Sequence, residues 1–77
     1  MKFYWHFFGP RALGTAEHFH KHLQESFRID AVLKLHRDSI SSGVQEERIL
    51  QAIVWCSVQD AQSIDVIRKK FRPQKEE

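Results

Sequence analysis

The 77-residue sequence predicts a small α+β domain with the element order β-α-β-β-α. Three observations predict it. An alternating aromatic run opens the chain at residues 2–8, apolar residues then recur at helical spacing from Thr15 to Phe27, and a second helical pattern follows Asp60. Strand and helix patterns that alternate within one short chain are typical of α+β folds, in which helices cover one face of a sheet.

Length and composition limit the domain count and the class. A chain of this length suffices for a single domain, predicted at residues 1–72, with a polar tail at residues 73–77. The 42% hydrophobic and 29% charged residues are typical of a globular protein. No apolar run approaches the ~20 residues of a membrane span, and no signal-peptide cleavage pattern follows the aromatic start. We therefore expect a cytoplasmic protein without a membrane partner.

The first strand is predicted at residues 2–8, because side chains alternate between the two faces of a strand. One face is entirely aromatic and is expected to meet the core: Phe3, Trp5 and Phe7. The other face mixes aromatic and basic side chains: Lys2, Tyr4, His6 and Phe8. Gly9 and Pro10 then end the strand, since proline has no amide hydrogen for strand pairing.

The first helix is predicted from Thr15 to Phe27. Its apolar residues recur at spacings of three and four and gather into one stripe: Ala16, Phe19, Leu23 and Phe27. Threonine is a good N-cap residue, so Thr15 is predicted to begin the helix after a loop or single turn at residues 11–13.

A second strand is predicted at residues 31–37, directly after Asp30. Leu33 and Leu35 would share one face of that strand, and Lys34 and His36 the other, because the segment alternates again.

An antiparallel hairpin is predicted next. Residues 41–43 read Ser-Ser-Gly, the best turn signal in the chain, and residues 44–48 suit a widened hairpin loop better than the first turn of a helix. A third strand is predicted from Ile49 to Val58. Both of its faces carry apolar residues, as in a strand with neighbours on both sides.

The second helix is predicted to begin after Asp60 as its N-cap and to stop before Pro73. A right-handed crossover would place both helices on one face of a three-stranded sheet. This order resembles a ferredoxin-like fold that lacks the fourth strand. The resemblance implies that the third strand lies between the first two and that the first strand is an unpaired edge. An aromatic edge of this kind needs a cover, either a second copy or the strand of a partner.

The histidines could form either a metal site or a solvated helix face. Five histidines occur, and His18 and His22 are four residues apart, which places them on one side of a helix. Phe19 stands where a metalloprotease motif would have glutamate, and a third ligand from Glu25 or His36 would depend on the tertiary fold. Two ligands do not make a site, so no metal and no cofactor is predicted.

Anion binding and catalysis have weaker support in the sequence. Arg11, Gly14 and Thr15 lie where a loop meets a helix N-terminus and could bind an anion, although a turn with an N-cap explains them better. The single cysteine, Cys56, lies in an apolar run and is predicted to be a small buried hydrophobe. The serines and Cys56 lack a recognisable base partner, so no catalytic residue is predicted.

The sequence therefore predicts a non-enzymatic interaction domain that self-associates or binds a protein through its aromatic edge strand or open sheet face. The predicted interaction residues are Tyr4, His6, Phe8, Lys34, His36 and Trp55. The first alternative is single-stranded nucleic-acid binding on the same face, in the manner of RNA-recognition motifs, although the third strand lacks the basic-Gly-aromatic start of their signature. The second alternative is a small-ligand enzyme that uses His6 or His36.

Overall fold

The computed structural model describes residues 1–48 and 50–77. Its elements are β1 (Lys2–Phe8), α1 (Ala12–Ile29), α2 (Ala31–Leu35), a 3₁₀ turn (Arg37–Ser39), β2 (Ser41–Arg48), β3 (Gln51–Ser57), α3 (Ala61–Phe71) and β4 (Lys75–Glu76). The strands form one antiparallel sheet in the order β2-β3-β1-β4. The α+β class is confirmed, and the prediction of a three-stranded sheet is wrong because β4 adds a fourth strand.

The hydrophobic core lies between one face of the sheet and the helices. Phe3 and Trp5 are buried on β1, and they lie opposite Cys56 and Val54 of β3. Buried helical residues from all three helices join the same cluster, namely Ala12, Ala16, Leu23, Phe27, Leu33 and Ile67. Both long helices therefore cover one side of the sheet, as predicted.

The pairing of β1 with β3 and of β3 with β2 confirms that the third strand is central. It spans Gln51–Ser57, whereas the sequence predicts it from Ile49 to Val58. Ile49 lies outside the described residues. Trp5 links this sheet to α3, because its indole Nε1 donates a hydrogen bond to the Phe71 carbonyl over 2.9 Å.

The prediction of a second strand at residues 31–37 is wrong, because this segment forms α2 and begins the 3₁₀ turn. Asp30 is the physical reason. Its carboxylate accepts hydrogen bonds from the Val32 and Leu33 amides over 2.9 and 3.1 Å, which caps a helix. Leu33 is fully buried while Leu35 is 79% exposed. The two leucines that were expected to share one face of a strand therefore lie in different environments.

The turn predicted at residues 41–43 and the loop predicted at residues 44–48 are also wrong, since both belong to β2. β2 is an edge strand that pairs with β3 alone, and an edge strand can be polar because much of it faces water. Val44 packs against the core. The chain turns into β3 at Leu50, which has a φ of 71°.

The first helix is longer than predicted, because it begins at Ala12 and ends at Ile29. The Thr15 amide donates to the Arg11 carbonyl over 2.9 Å, so Thr15 lies inside the first turn and is not the N-cap. Asp30 ends the helix by adopting an extended conformation with a ψ of 130°.

The second predicted helix is confirmed as α3. The Asp60 carboxylate accepts a hydrogen bond from the Ser63 amide over 2.9 Å, and the helix ends at Phe71, two residues before Pro73.

Residues 73–77, predicted to be a polar tail, contain β4. Glu76 pairs with Phe3 and Lys75 with Tyr4 across the outer edge of β1. The Arg68 guanidinium of α3 holds the Glu76 carboxylate at 2.7 Å, so a polar segment is fixed to the domain by charge and backbone pairing. Within the described residues, no helix combines the length and apolarity that a bilayer crossing requires.

Candidate interaction surface on the open sheet face

The sheet has a second face, which points away from the helices and which we call the open sheet face. It is defined by alternate residues of the four strands: Lys2, Tyr4, His6, Phe8, Ser41, Gly43, Gln45, Gln51, Ile53, Trp55, Ser57 and Lys75. Strand pairing brings them together, because Tyr4 lies opposite Trp55 and His6 opposite Ile53. These residues are half-buried or exposed, whereas most residues between them on β1 and β3 are buried, namely Phe3, Trp5, Ala52, Val54 and Cys56.

Trp55 lies over Gly43 of the neighbouring strand. A Cβ placed on Gly43 would lie 2.8 Å from the indole Nε1 and 2.9 Å from Cε2, closer than real contacts allow. The two residues are paired across β2 and β3. A glycine inside a strand often marks such a close approach, and here the missing side chain leaves room for the indole on the sheet.

Tyr4 and Trp55 each have a lysine beside the ring. The Lys75 ammonium lies 5.9 Å from the centre of the Tyr4 ring, and the Lys2 ammonium lies 5.7 Å from that of Trp55. The Tyr4 hydroxyl donates a hydrogen bond to the Glu77 carboxylate over 2.9 Å. This hydrogen bond raises the pKa of Tyr4 and lowers the pKa of Glu77. Lysines at these distances can make cation–π contacts.

His6 and Phe8 extend the aromatic surface along β1. Their rings are 6.4 Å apart and inclined by only 13°, so they stand side by side on the same face. Phe8 is 71% exposed, which leaves a large apolar ring in water.

The outer edge of β1 is not free, which corrects the prediction of an unpaired edge strand. The Gln74 amide donates to the Tyr4 carbonyl over 3.0 Å, and the Gln74 side chain accepts from the His6 amide over 3.0 Å. The Lys2 and Glu77 backbones exchange a pair of hydrogen bonds at 2.9 and 2.8 Å. The chain thus covers the first five residues of β1, Lys2 to His6, along this edge.

Lys34 and His36, predicted on the open sheet face, lie elsewhere. Lys34 belongs to α2 and His36 follows it, on the helix side of the molecule. The His36 Nε2 lies 3.4 Å from Asp60 Oδ2. Burial opposes ionisation of Asp60, but the Ser63 amide and His36 outweigh it, so the pKa of Asp60 is lowered. His6 and His36, the two histidines of the predicted enzyme alternative, therefore lie on opposite sides of the sheet.

His18 and His22 of α1 lie close together. Their Nε2 atoms are 3.0 Å apart, and the His22 Nδ1 lies 3.8 Å from Glu25. Among the described residues, no group of three histidine, cysteine, aspartate or glutamate side chains is arranged to hold a metal ion. His20 points to β2 instead, where its Nε2 lies 2.9 Å from the Ser42 hydroxyl.

Arg11, Gly14 and Thr15 lie at the start of α1. Arg11 is the exposed N-cap residue, its side chain makes no capping hydrogen bond, and the Thr15 amide is already used within the helix. Anion binding at these three residues stays a prediction.

Tyr4, His6, Phe8 and Trp55 are thus the predicted residues that share one surface. Sequence reasoning missed two residues that shape it, Gly43 and Gln74. The sequence predicts a turn at Gly43, although a glycine in a strand opposite a tryptophan is a signal for a close approach. Gln74 gave no signal, because its role depends on where the chain returns after α3.

Comparisons with protein-family models, with curated proteins and with solved structures found no match to this chain.

Proposed function

We propose that this protein is a small interaction domain that associates with a second copy of itself through the open sheet face. The observation that carries the proposal is the cluster of Tyr4, His6, Phe8, Ile53 and Trp55 on a sheet face opposite the helices. Exposed apolar patches of this kind commonly mark sites of protein association.

The distribution of charge on this face is typical of a protein interface. Its middle consists of uncharged and aromatic side chains, with Ile53 and His6 side by side. The charged residues on or beside it include Lys2, Lys75 and Glu77, which lie near the start of β1. Protein interfaces have aromatic centres depleted in charge and polar, solvated rims.

The same face carries groups that complement each other, which favours a second copy as the partner. A twofold axis through the face would offer the lysines of one copy both the rings and the Glu77 carboxylate of the other. Interfaces of this symmetry require one patch to be complementary to itself.

The size of the face predicts weak association. Strands of seven residues at ~3.3 Å per residue, in three rows ~4.8 Å apart, give a footprint of roughly 23 by 14 Å. This planar footprint is roughly 320 Å², which is small beside the about 800 Å² of accessible surface that each partner of a stable interface buries. We therefore expect a dimer that dissociates on dilution.

Single-stranded nucleic acid is the second candidate ligand for the same face. The lysines beside Tyr4 and Trp55 favour it, because bases stack on aromatic rings while cations bind the phosphates. Against it, Glu77 lies beside both Tyr4 and Lys75, and the net charge of the chain is only +2. A cytoplasmic location likewise stays a prediction from the sequence.

The test compares the solution mass of the native chain with that of two variants, by light scattering over a dilution range of about 1000-fold. Ile53→Lys places a charge in the middle of the open sheet face. Leu35→Lys is the matched control, because Leu35 is 79% exposed on α2, on the helix side. The native chain and Leu35→Lys should dimerise with concentration, and Ile53→Lys should stay monomeric.

A native chain that is monomeric at every concentration would overturn self-association. So would a dimer that Leu35→Lys disrupts and Ile53→Lys does not. Saturable binding of oligothymidylate by a monomeric chain, lost in Trp55→Ala, would assign the face to nucleic acid.

A further inference from the structure

A concave surface lies on the helix side of the molecule, between α1 and the segment that leads from the 3₁₀ turn into β2. Its volume is about 580 Å³, within the range of small-ligand sites. We call it the basic cleft and define it by Lys21, Arg28, Arg37, Ser41 and Ser42. None of these residues belongs to the aromatic cluster of the open sheet face.

The cations of the basic cleft are its main feature. Lys21, Arg28 and Arg37 line it together with one acid, Glu25, so the lining has a formal charge of three minus one, or +2. This equals the net charge of the whole chain. Across residues 1–48 and 50–77, none of the three cations forms an ion pair, whereas Glu25 lies 3.8 Å from His22. Three cations without acidic partners therefore surround one concavity.

Neutral donors and an apolar wall complete the lining. Ser41 and Ser42, the first two residues of β2, line the cleft, and the Ser42 hydroxyl lies 2.9 Å from His20 Nε2. Phe27 is 7% exposed and Ile40 is half-buried, and both line the cleft. A ligand here would meet charge and hydroxyl groups on one part of its surface and an aromatic ring on another.

We propose that the basic cleft binds a small phosphate monoester whose organic part is apolar. Guanidinium groups match the oxygens of a phosphate in pairs, and charge-assisted hydrogen bonds of this kind are the strong ones. A phosphate monoester carries nearly two negative charges at pH 7, which balances the lining charge of +2. The apolar part would pack on Phe27 and Ile40.

The test uses phenyl phosphate as the probe, titrated into the ¹⁵N-labelled chain and followed by amide chemical shifts. Saturable shifts are expected at Arg37, Ser41 and Ser42. Inorganic phosphate, which lacks the ring, and phenol, which lacks the charge, should each bind at least several-fold more weakly, because each uses only part of the lining.

Three single variants, each removing one positive charge, distinguish a specific phosphate site in the cleft from non-specific attraction by the net charge of the protein. Arg37→Gln and Arg28→Gln should each weaken phenyl phosphate binding about tenfold, in line with charge-assisted hydrogen bonds. Lys69→Gln is the control, because Lys69 is 77% exposed on α3 and pairs with Asp65, outside the cleft. It should leave the affinity unchanged.

Two results would overturn the proposal. One is the absence of saturable shifts at the cleft amides. The other is equal weakening by Lys69→Gln and Arg37→Gln, which would mean attraction by net charge alone. Neither result bears on self-association through the open sheet face, because Tyr4, Ile53 and Trp55 do not line the cleft.

Discussion

Trp55 occupies the space that a side chain on Gly43 would need. The indole Nε1 lies 2.8 Å from the position of a Cβ on Gly43, and Cε2 and Cζ2 lie 2.9 and 3.0 Å from it. The glycine is therefore required for packing against the ring and not for its backbone conformation, since its φ is outside the left-handed region. The shape of the open sheet face depends on this pair.

We predict that Gly43→Ala moves the Trp55 indole while the fold persists. The added methyl group cannot share the space, and a side chain can rotate away at lower cost than the sheet can shift. The measurement is the pair of indole N–H signals from the two tryptophans in an NMR spectrum. The Trp55 signal should shift, and that of buried Trp5 should stay.

Gly14→Ala is the matched control for this substitution. A Cβ on Gly14 would meet nothing within 4 Å, and Gly14 lies within α1. Alanine should stabilise the helix by up to about 1 kcal/mol and leave both indole signals in place. Unchanged indole signals in Gly43→Ala would contradict the packing described for Trp55.

Gln74 protects the edge of β1, which gives a second prediction. Its side chain accepts a hydrogen bond from the His6 amide over 3.0 Å. Gln74→Ala should speed hydrogen exchange at the His6 amide about fivefold, since one such bond is worth about 1 kcal/mol. Gln62→Ala, which removes an exposed amide from α3, should leave this exchange unchanged. Equal exchange in both variants would show that the side chain does not protect the edge.

Asp30 should make α2 sensitive to acid. Its carboxylate accepts hydrogen bonds from Leu33 and Val32 and from Lys70 over 3.0 Å. The Leu33 amide and the Lys70 ammonium lower the pKa of Asp30 below its ordinary value of 3.8. The stabilisation is therefore present above pH 3.8 and is lost as the pH falls through the lower folded pKa.

We predict that Asp30→Ala lowers the free energy of unfolding by about 1 kcal/mol near neutral pH, as loss of an N-cap does. The difference from the native chain should shrink in acid. Urea unfolding at pH 7 and pH 3 measures it. Asp38→Ala removes an exposed carboxylate from the 3₁₀ turn and should change the free energy less. A deficit in Asp30→Ala that is the same at both pH values would contradict this role.

Cys56 should be inert towards thiol reagents. It is fully buried, and this burial raises the pKa of its thiol to about 12. At pH 8 only about one thiol in 10,000 would be ionised, and the thiolate is the reactive form. Alkylation should require unfolding of the chain. In the unfolded chain, Cys56 should react as fast as an ordinary exposed cysteine. Rapid alkylation of the native chain would mean that Cys56 is accessible.

The sequence predicts the elements whose local pattern agrees with their environment. β1, β3 and α3 follow from alternation and from the Asp60 cap, because the same residues that set the pattern are the buried ones. The segment at residues 31–37 fails this test. Its alternation is typical of a strand, but the hydrogen bonds that Asp30 offers to Val32 and Leu33 stabilise a helix there.

The polar edge strands could not be predicted from hydrophobicity. β2 needs little apolar surface because it pairs with a single neighbour, and β4 is held by backbone pairing and by the Arg68–Glu76 ion pair. Four predicted interaction residues lie on one face because β1 and β3 have the predicted alternation. Lys34 and His36 are predicted on that face only because residues 31–37 are predicted to form a strand, and that prediction is wrong.

Contacts between copies test the central claim most directly. In an equal mixture of ¹³C-labelled and unlabelled chains, isotope-filtered NMR detects only contacts between chains. Contacts from the Ile53 methyl groups of one copy to the Tyr4, His6 or Trp55 ring of another would establish association through the open sheet face. A dimeric sample whose contacts between copies join helix residues such as Ile29 and Leu35 would contradict it.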